Sequence, residues 1–130
     1  MLTLQQEQMD VFARLEMERF EERAIAHLRE HFPERMASVS AQNARELVRF
    51  CVQRARGYGI ESERGIVLFA SVAVALGPRF DEQPRYRWAA EALADEFIVT
   101  PTARIEELYR RAVELLDAPA PQAQRAARSL

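Results

Sequence analysis

Lysine is absent from this chain: all 18 of its basic residues are arginine. Alanine is abundant beside them, and the pairing points to a GC-rich coding bias rather than to a functional choice. The 18 arginines are offset by 20 acidic residues interspersed among them, for a net charge of −2. No basic stripe is left to grip phosphates, which argues against a nucleic-acid partner, and no recognition helix stands out. Cysteine occurs once, at Cys51. No internal disulfide can form, so a secreted disulfide scaffold is excluded and a reducing compartment is permitted. Long apolar runs are missing too. The longest, Ile66 to Leu76, is flanked by charge and falls well short of the ~20 residues a membrane-spanning helix needs. The start, Met1 to Glu7, is polar and acidic and lacks the basic and apolar stretches of a signal peptide. The expectation is a cytoplasmic soluble protein with no membrane contact. Strand-type alternation is likewise absent.

What is present is helical periodicity over most of 130 residues, a length that suits one domain. The fold expected is all-α: a five-helix bundle over residues 1–117 with a long N-terminal helix and an apolar central helix. A flexible tail is expected over 118–130, where Ala118-Pro119-Ala120-Pro121 breaks the apolar period, with at most a helical turn at 124–128. The first helix spans about Leu4 to Phe32, opened by a Thr3-x-x-Gln6 capping box and stopped by Pro33. Met9, Ala13, Met17, Phe20, Ala24 and Leu28 form its core face. Its length of ~43 Å exceeds what a domain with a radius of gyration of ~14 Å can cover. The helix must therefore overhang, bend or meet another chain. Leu4, Val11 and Leu15 make a second ridge on its far side. Scattered surface apolar residues are one reading of that ridge; a partner contact, including a homodimer, is the other.

The second helix, about Ala41 to Arg56, is capped by Ser40 and turns Ala44, Val48, Cys51, Val52 and Ala55 inward. The third, about Glu63 to Leu76, is capped by Ser62 and is apolar all round, as befits the middle of a bundle. The fourth starts near Pro84 and carries Trp88, Ala92, Leu93 and Phe97 inward. The fifth starts at Thr100-Pro101 with the stripe Ile105, Leu108, Tyr109, Ala112, Val113 and Leu116.

Motifs for chemistry are thin. His27-Leu28-Arg29-Glu30-His31 fits the inverted zincin pattern H-x-x-E-H. A catalytic zinc needs a third protein ligand, and no spacing supplies one. Two histidines near a helix C-terminus also interact favourably with the helix dipole. Cys51 reads as a small buried residue. Gly57-x-Gly59 lacks the third glycine and the preceding strand of a nucleotide loop. The pairs Glu21-Glu22, Asp95-Glu96 and Glu106-Glu107 read as solvated helix faces beside arginines. Asp81 and Glu82 read as candidate caps for the fourth helix. Tyr58, between two glycines, either seals the bundle end or is presented outward. Phe80 in the next turn poses the same question, but the two turns lie at opposite ends of the third helix and form one patch only if other elements bridge them.

One resemblance goes further. Arg54-Ala55-x-x-Tyr58-Gly59-Ile60-x-x-Glu63, then Leu76-Gly77-x-x-Phe80-Asp81-x-x-Pro84-x-x-x-Trp88-Ala89, resemble in order a family of small helical bacterial proteins. So does the upstream Phe20-Glu21-x-Arg23 with His27-Leu28-x-x-x-Phe32-Pro33. The family is encoded beside type VI secretion genes for spike proteins, PAAR tips, effectors and effector-loading chaperones. The resemblance covers about residues 9–113. It implies a non-enzymatic adaptor or co-chaperone without catalytic residues, metal or cofactor, whose partner is a loading chaperone, an effector or a spike-tip component. The contact surface expected is Leu4, Val11 and Leu15, with Tyr58, Arg54 and Arg56 second. The alternative is an immunity protein that blocks a co-encoded toxin through acidic residues such as Glu18 and Glu22.

Overall fold

In the computed structural model, which describes residues 4–117, three hydroxyl side chains set three helix starts. Ser40 Oγ accepts a hydrogen bond from the Asn43 amide at 3.1 Å, Ser62 Oγ from Gly65 at 3.0 Å, and Thr100 Oγ1 from Ala103 at 3.1 Å. Each satisfies an amide that the first turn leaves without an intrahelical acceptor. The elements are α1 (Leu4–His31), α2 (Pro33–Met36), α3 (Ala41–Gly57), α4 (Glu63–Leu76), 3-10 turns at Phe80–Glu82 and Pro84–Tyr86, α5 (Arg87–Leu93) and α6 (Pro101–Asp117). The chain is all-helical, with no strand among the described residues. The expected capping residue Thr3 and the expected tail over 118–130 lie outside the described residues.

Among the described residues there are six α-helices, not the expected five. Phe32 leaves helical geometry at φ −130°, ψ 58°, because the residue before a proline is pushed out of the α region. Pro33 then sits at the first position of α2, where its missing N–H costs nothing. The one-turn α2 is held by Arg29, whose guanidinium donates to the Met36 and Val39 carbonyls at 3.0 Å each. Met36 is buried as a result.

The end of α3 is a Schellman closure. Gly59 N–H bonds to the Arg56 carbonyl and Ile60 N–H to the Ala55 carbonyl, both at 2.9 Å. Gly59 has φ 82°, a conformation only glycine adopts without strain. Ile60 follows it into the core and is fully buried.

Helix α4 packs against α1, α2, α3, α6 and the first 3-10 turn, while α3 and α6 do not pack on each other. Its buried residues include Ile66, Phe69, Ala70, Val72, Ala73 and Leu76. Leu28, Val48, Cys51, Phe80, Ile105 and Leu108 close around them from the other elements. Each large apolar side chain buried this way stabilises the fold by about 1.5–3 kcal/mol.

Five expected core residues lie exposed at the edges of this core. Met9 and Ala13 are exposed, because α1 meets the rest of the chain only from Met17 onward. Val113 and Leu116 are exposed on the last turns of α6. Phe97 is 98% exposed. The helix expected to bury it ends at Leu93, where the Asp95 carboxylate accepts the Phe97 amide at 2.9 Å. Such a local side-chain bond competes with helix continuation. Arg104 Nε then donates to the Asp95 and Ile98 carbonyls at 2.8 Å each and holds the loop. Trp88 is half-buried rather than central and lines an open cavity of about 370 Å³ with Arg111, Glu114 and Leu115.

Two glycines separate packing from propensity. A Cβ on Gly65 would stand 2.6 Å from Ile60 Cγ2 and 2.8 Å from the capping Ser62 Oγ, whereas one on Gly57 meets nothing. Gly65→Ala is expected to lower stability by about 1–3 kcal/mol despite the higher helix propensity of alanine. Gly57→Ala is expected to be neutral or to stabilise by up to about 1 kcal/mol. Urea unfolding of the two variants checks the contrast.

Candidate functional site

After α4 the chain doubles back. Gly77, at φ 115°, makes the reversal. Phe80 is thereby brought beside Phe69, with ring centroids 5.1 Å apart, and Tyr58 lies on the other side of Phe69 at 6.2 Å. The returning segment carries Asp81 to the end of α3. Its side chain is 1% exposed and accepts hydrogen bonds from Arg54 Nη2 and, at 2.5 Å, from the Tyr58 hydroxyl. Arg54 also pairs with Glu82 at 3.2 Å. The two turns that sequence order places at opposite ends of α4 are thus one cluster, bridged by the reversal. Asp81 and Glu82 cap no helix; they tie residues 77–86 to α3.

This cluster engages two of the three residues of the second contact surface expected from sequence. Tyr58 and Arg54 are engaged with Asp81 and turn inward. Arg56 alone is exposed, with no ion pair among the described residues. The cluster also governs two ionisations. The Cys51 thiol is pushed up to about 12, first by burial and then by the Asp81 carboxylate. The Tyr58 phenol is pushed up to about 12, first by burial and then by its hydrogen bond to Asp81. Cys51 is therefore a quiet core thiol, far from the lowered range a nucleophilic cysteine needs.

The histidines stand on one face of α1, ring centroids 4.2 Å apart. His27 is shifted below its ordinary value, by burial first and by His31 second. Among the described residues no three His, Cys, Asp or Glu side chains are grouped so as to hold a metal. His31 instead borders an apolar groove of about 310 Å³ with Phe32, Val72, Ala75 and Tyr109.

The carboxylate pairs are less uniform than expected. Glu21 is 3% exposed, not solvated. Arg49 Nε donates to its two oxygens at 2.9 and 3.3 Å, joining α1 to α3. Glu18 and Glu22 stand beside it around a cavity of about 250 Å³ that Arg45 and Arg49 complete. Glu106 accepts from Arg64 at 3.1 Å and joins α4 to α6. Asp95 is taken up by the loop described above.

What remains uncommitted is the first part of α1. Every residue from 5 to 16 is exposed. Met9 and Phe12 are 63% and 64% exposed, and Val11 and Leu15 are exposed beside them. Leu4 begins the helix and its side chain is not described. Phe12 was not singled out by sequence reading, although it adjoins Val11 and Leu15 on a helical wheel; the core-face pattern drew attention instead to Met9 and Ala13. The first part of α1 sets five exposed apolar side chains, Met9, Val11, Phe12, Ala13 and Leu15, among polar ones.

No helix among the described residues is long and apolar enough to cross a membrane. No protein-family model, curated protein or solved structure matches the chain.

Two outcomes follow from the Asp81 cluster. Asp81→Asn is expected to cost about 2–3 kcal/mol because it leaves Arg54 without its buried countercharge, and Tyr58→Phe about 1 kcal/mol; urea unfolding measures both. The alkaline limit follows from Cys51 and Tyr58. Both keep their protons to about 12 in the folded chain, against ~8.5 and ~10 for unfolded thiol and phenol. The stability they contribute is complete below the unfolded values and is lost as pH rises through the folded ones. Unfolding midpoints should fall between pH 8 and pH 11, and Cys51 should react with a thiol reagent at pH 8 only when urea is added.

Proposed function

We propose that this chain is a non-enzymatic adaptor or co-chaperone that binds a protein partner during the loading of type VI secretion effectors, in the bacterial cytoplasm. Two things support the reading. The first is the ordered resemblance at Arg54 to Glu63 and Leu76 to Ala89. The second, which carries it, is the exposed apolar start of α1. An apolar stretch held away from the core costs solvation that a monomer gains nothing from, and such patches mark interaction sites.

In this reading α4 is the apolar rod of a bundle, and α1, α3 and α6 wrap it. The same wrapping leaves the excess length of α1 outside. Aromatic and large aliphatic side chains at the centre of a contact carry most of its energy. Phe12 and Met9 are placed to do this on one side of the helix and Val11 and Leu15 on the other. Chaperone, effector and spike-tip components are the partner classes that the resemblance supports.

The test is co-purification from cells of the tagged chain with the products of neighbouring secretion genes. Phe12→Glu is expected to cut recovery of the partner about tenfold. Its unfolding midpoint should stay within about 0.5 kcal/mol of the parent, since surface changes seldom do more. Unchanged recovery would sink the reading.

A further inference from the structure

We infer that the outer stripe of α1 is covered by a second copy of this chain, paired antiparallel over residues 4–15. The inference rests on the docking reading of the same helix and names what occupies one side of it.

Positions 4, 8, 11 and 15 hold Leu, Gln, Val and Leu. Their 4-3-4 spacing is the seam of a two-stranded coiled coil. At 100° per residue this seam faces away from Phe20, Ala24 and Leu28, which the core buries. A partner helix therefore approaches without meeting the domain. The seam ends in charge, since the next two seam positions are Glu18 and Glu22. Pairing is thus confined to the stretch that is exposed on every side.

Flanking charges choose the direction. With the seam as stated, Glu7 and Arg14 fall on one flank, and Gln5, Phe12 and Arg19 on the other. Glu7 and Arg14 make no ion pair within the described residues. A parallel pair would set Arg14 against Arg19 of the other copy, twice. An antiparallel pair sets Glu7 against Arg14 of the other copy, twice, with position 4 opposite 15 and position 8 opposite 11. Like charges oppose the first arrangement and opposite charges favour the second.

Antiparallel pairing has a structural result. It brings the Phe12 flanks of both copies to one face, and Met9 lies next to Phe12 on the helix. Two Phe12 and two Met9 side chains then form one apolar platform, with the Glu7–Arg14 pairs on the opposite face. A single chain presents only half of that platform. The overlap is short, about 18 Å, and involves fewer residues than the ~20–30 a side of a standard interface. The dimer is therefore concentration-dependent, with Kd about micromolar or weaker.

Sedimentation equilibrium of the full chain from about 1 to about 200 µM tests this. Reversible dimerisation is expected, and Val11→Glu should abolish it with helicity by circular dichroism retained. Glu7→Arg and Arg14→Glu should each weaken the dimer about fivefold, since each turns two attractive contacts repulsive. The double variant should recover the parent affinity within about twofold. A monomer at all concentrations overturns the inference, as does a dimer indifferent to the single swaps or a double swap no better than either single. If the chain is monomeric and Phe12→Glu still loses the client, a heterologous protein covers the stripe; pairing falls and the docking reading stands. If the swaps behave as expected and client recovery is unaffected by Phe12→Glu, pairing stands and the docking reading falls.

Discussion

A carboxylate that is 1% exposed decides how the second half of this chain is arranged. Asp81 cannot be buried alone, because an unpaired charge in the interior costs several kcal/mol. It is tolerated because Arg54 and Tyr58 reach it from the end of α3. That requirement brings the chain back after Gly77 and seats Phe80 against Phe69. The same cluster keeps Cys51 protonated and the Tyr58 hydroxyl occupied. The residues with the most conspicuous chemistry in the sequence are therefore spent on holding the fold.

The opposite situation holds at the other end of the molecule. Helix α1 is joined to α3 by the buried Glu21 and the exposed Arg49, and to α4 by Arg23–Glu63 at 3.0 Å. Both anchors lie in its second half. Ahead of them residues 5–16 are all exposed, yet they include methionine, valine, phenylalanine and leucine. A lone helix of this length is marginal in water unless something packs on it. The chain is thus packed from the second half of α1 onward, while residues 5–16 of α1 stay exposed.

The parts of the fold that were legible in the sequence share a property: they depend on residues close together in the chain. Ser40, Ser62 and Thr100 bond to amides three residues on. Gly59 and Ile60 close α3 through carbonyls three and five residues back. The inward face of α3, from Ala44 to Ala55, follows from period alone. Of the candidate site, Val11 and Leu15 were visible as a ridge. Phe12 was not, because a helix with apolar residues on several sides shows no single preferred face.

What failed depends on contacts between distant residues or on where the core stops. Periodicity put Met9, Ala13, Val113 and Leu116 inside, since it reports the face of a helix and not how far the neighbouring helices extend. Phe97 was assigned to a helix that a local carboxylate and a distant arginine, Arg104, turn into a loop. Glu21 read as solvated because nothing nearby in sequence announces Arg49. By itself, then, the sequence determined helical segments, their caps and their apolar faces, all set by interactions within a few residues. Only the tertiary structure decided which faces are covered, which charges are buried and which helix is left over, because those follow from long-range packing that no local pattern encodes.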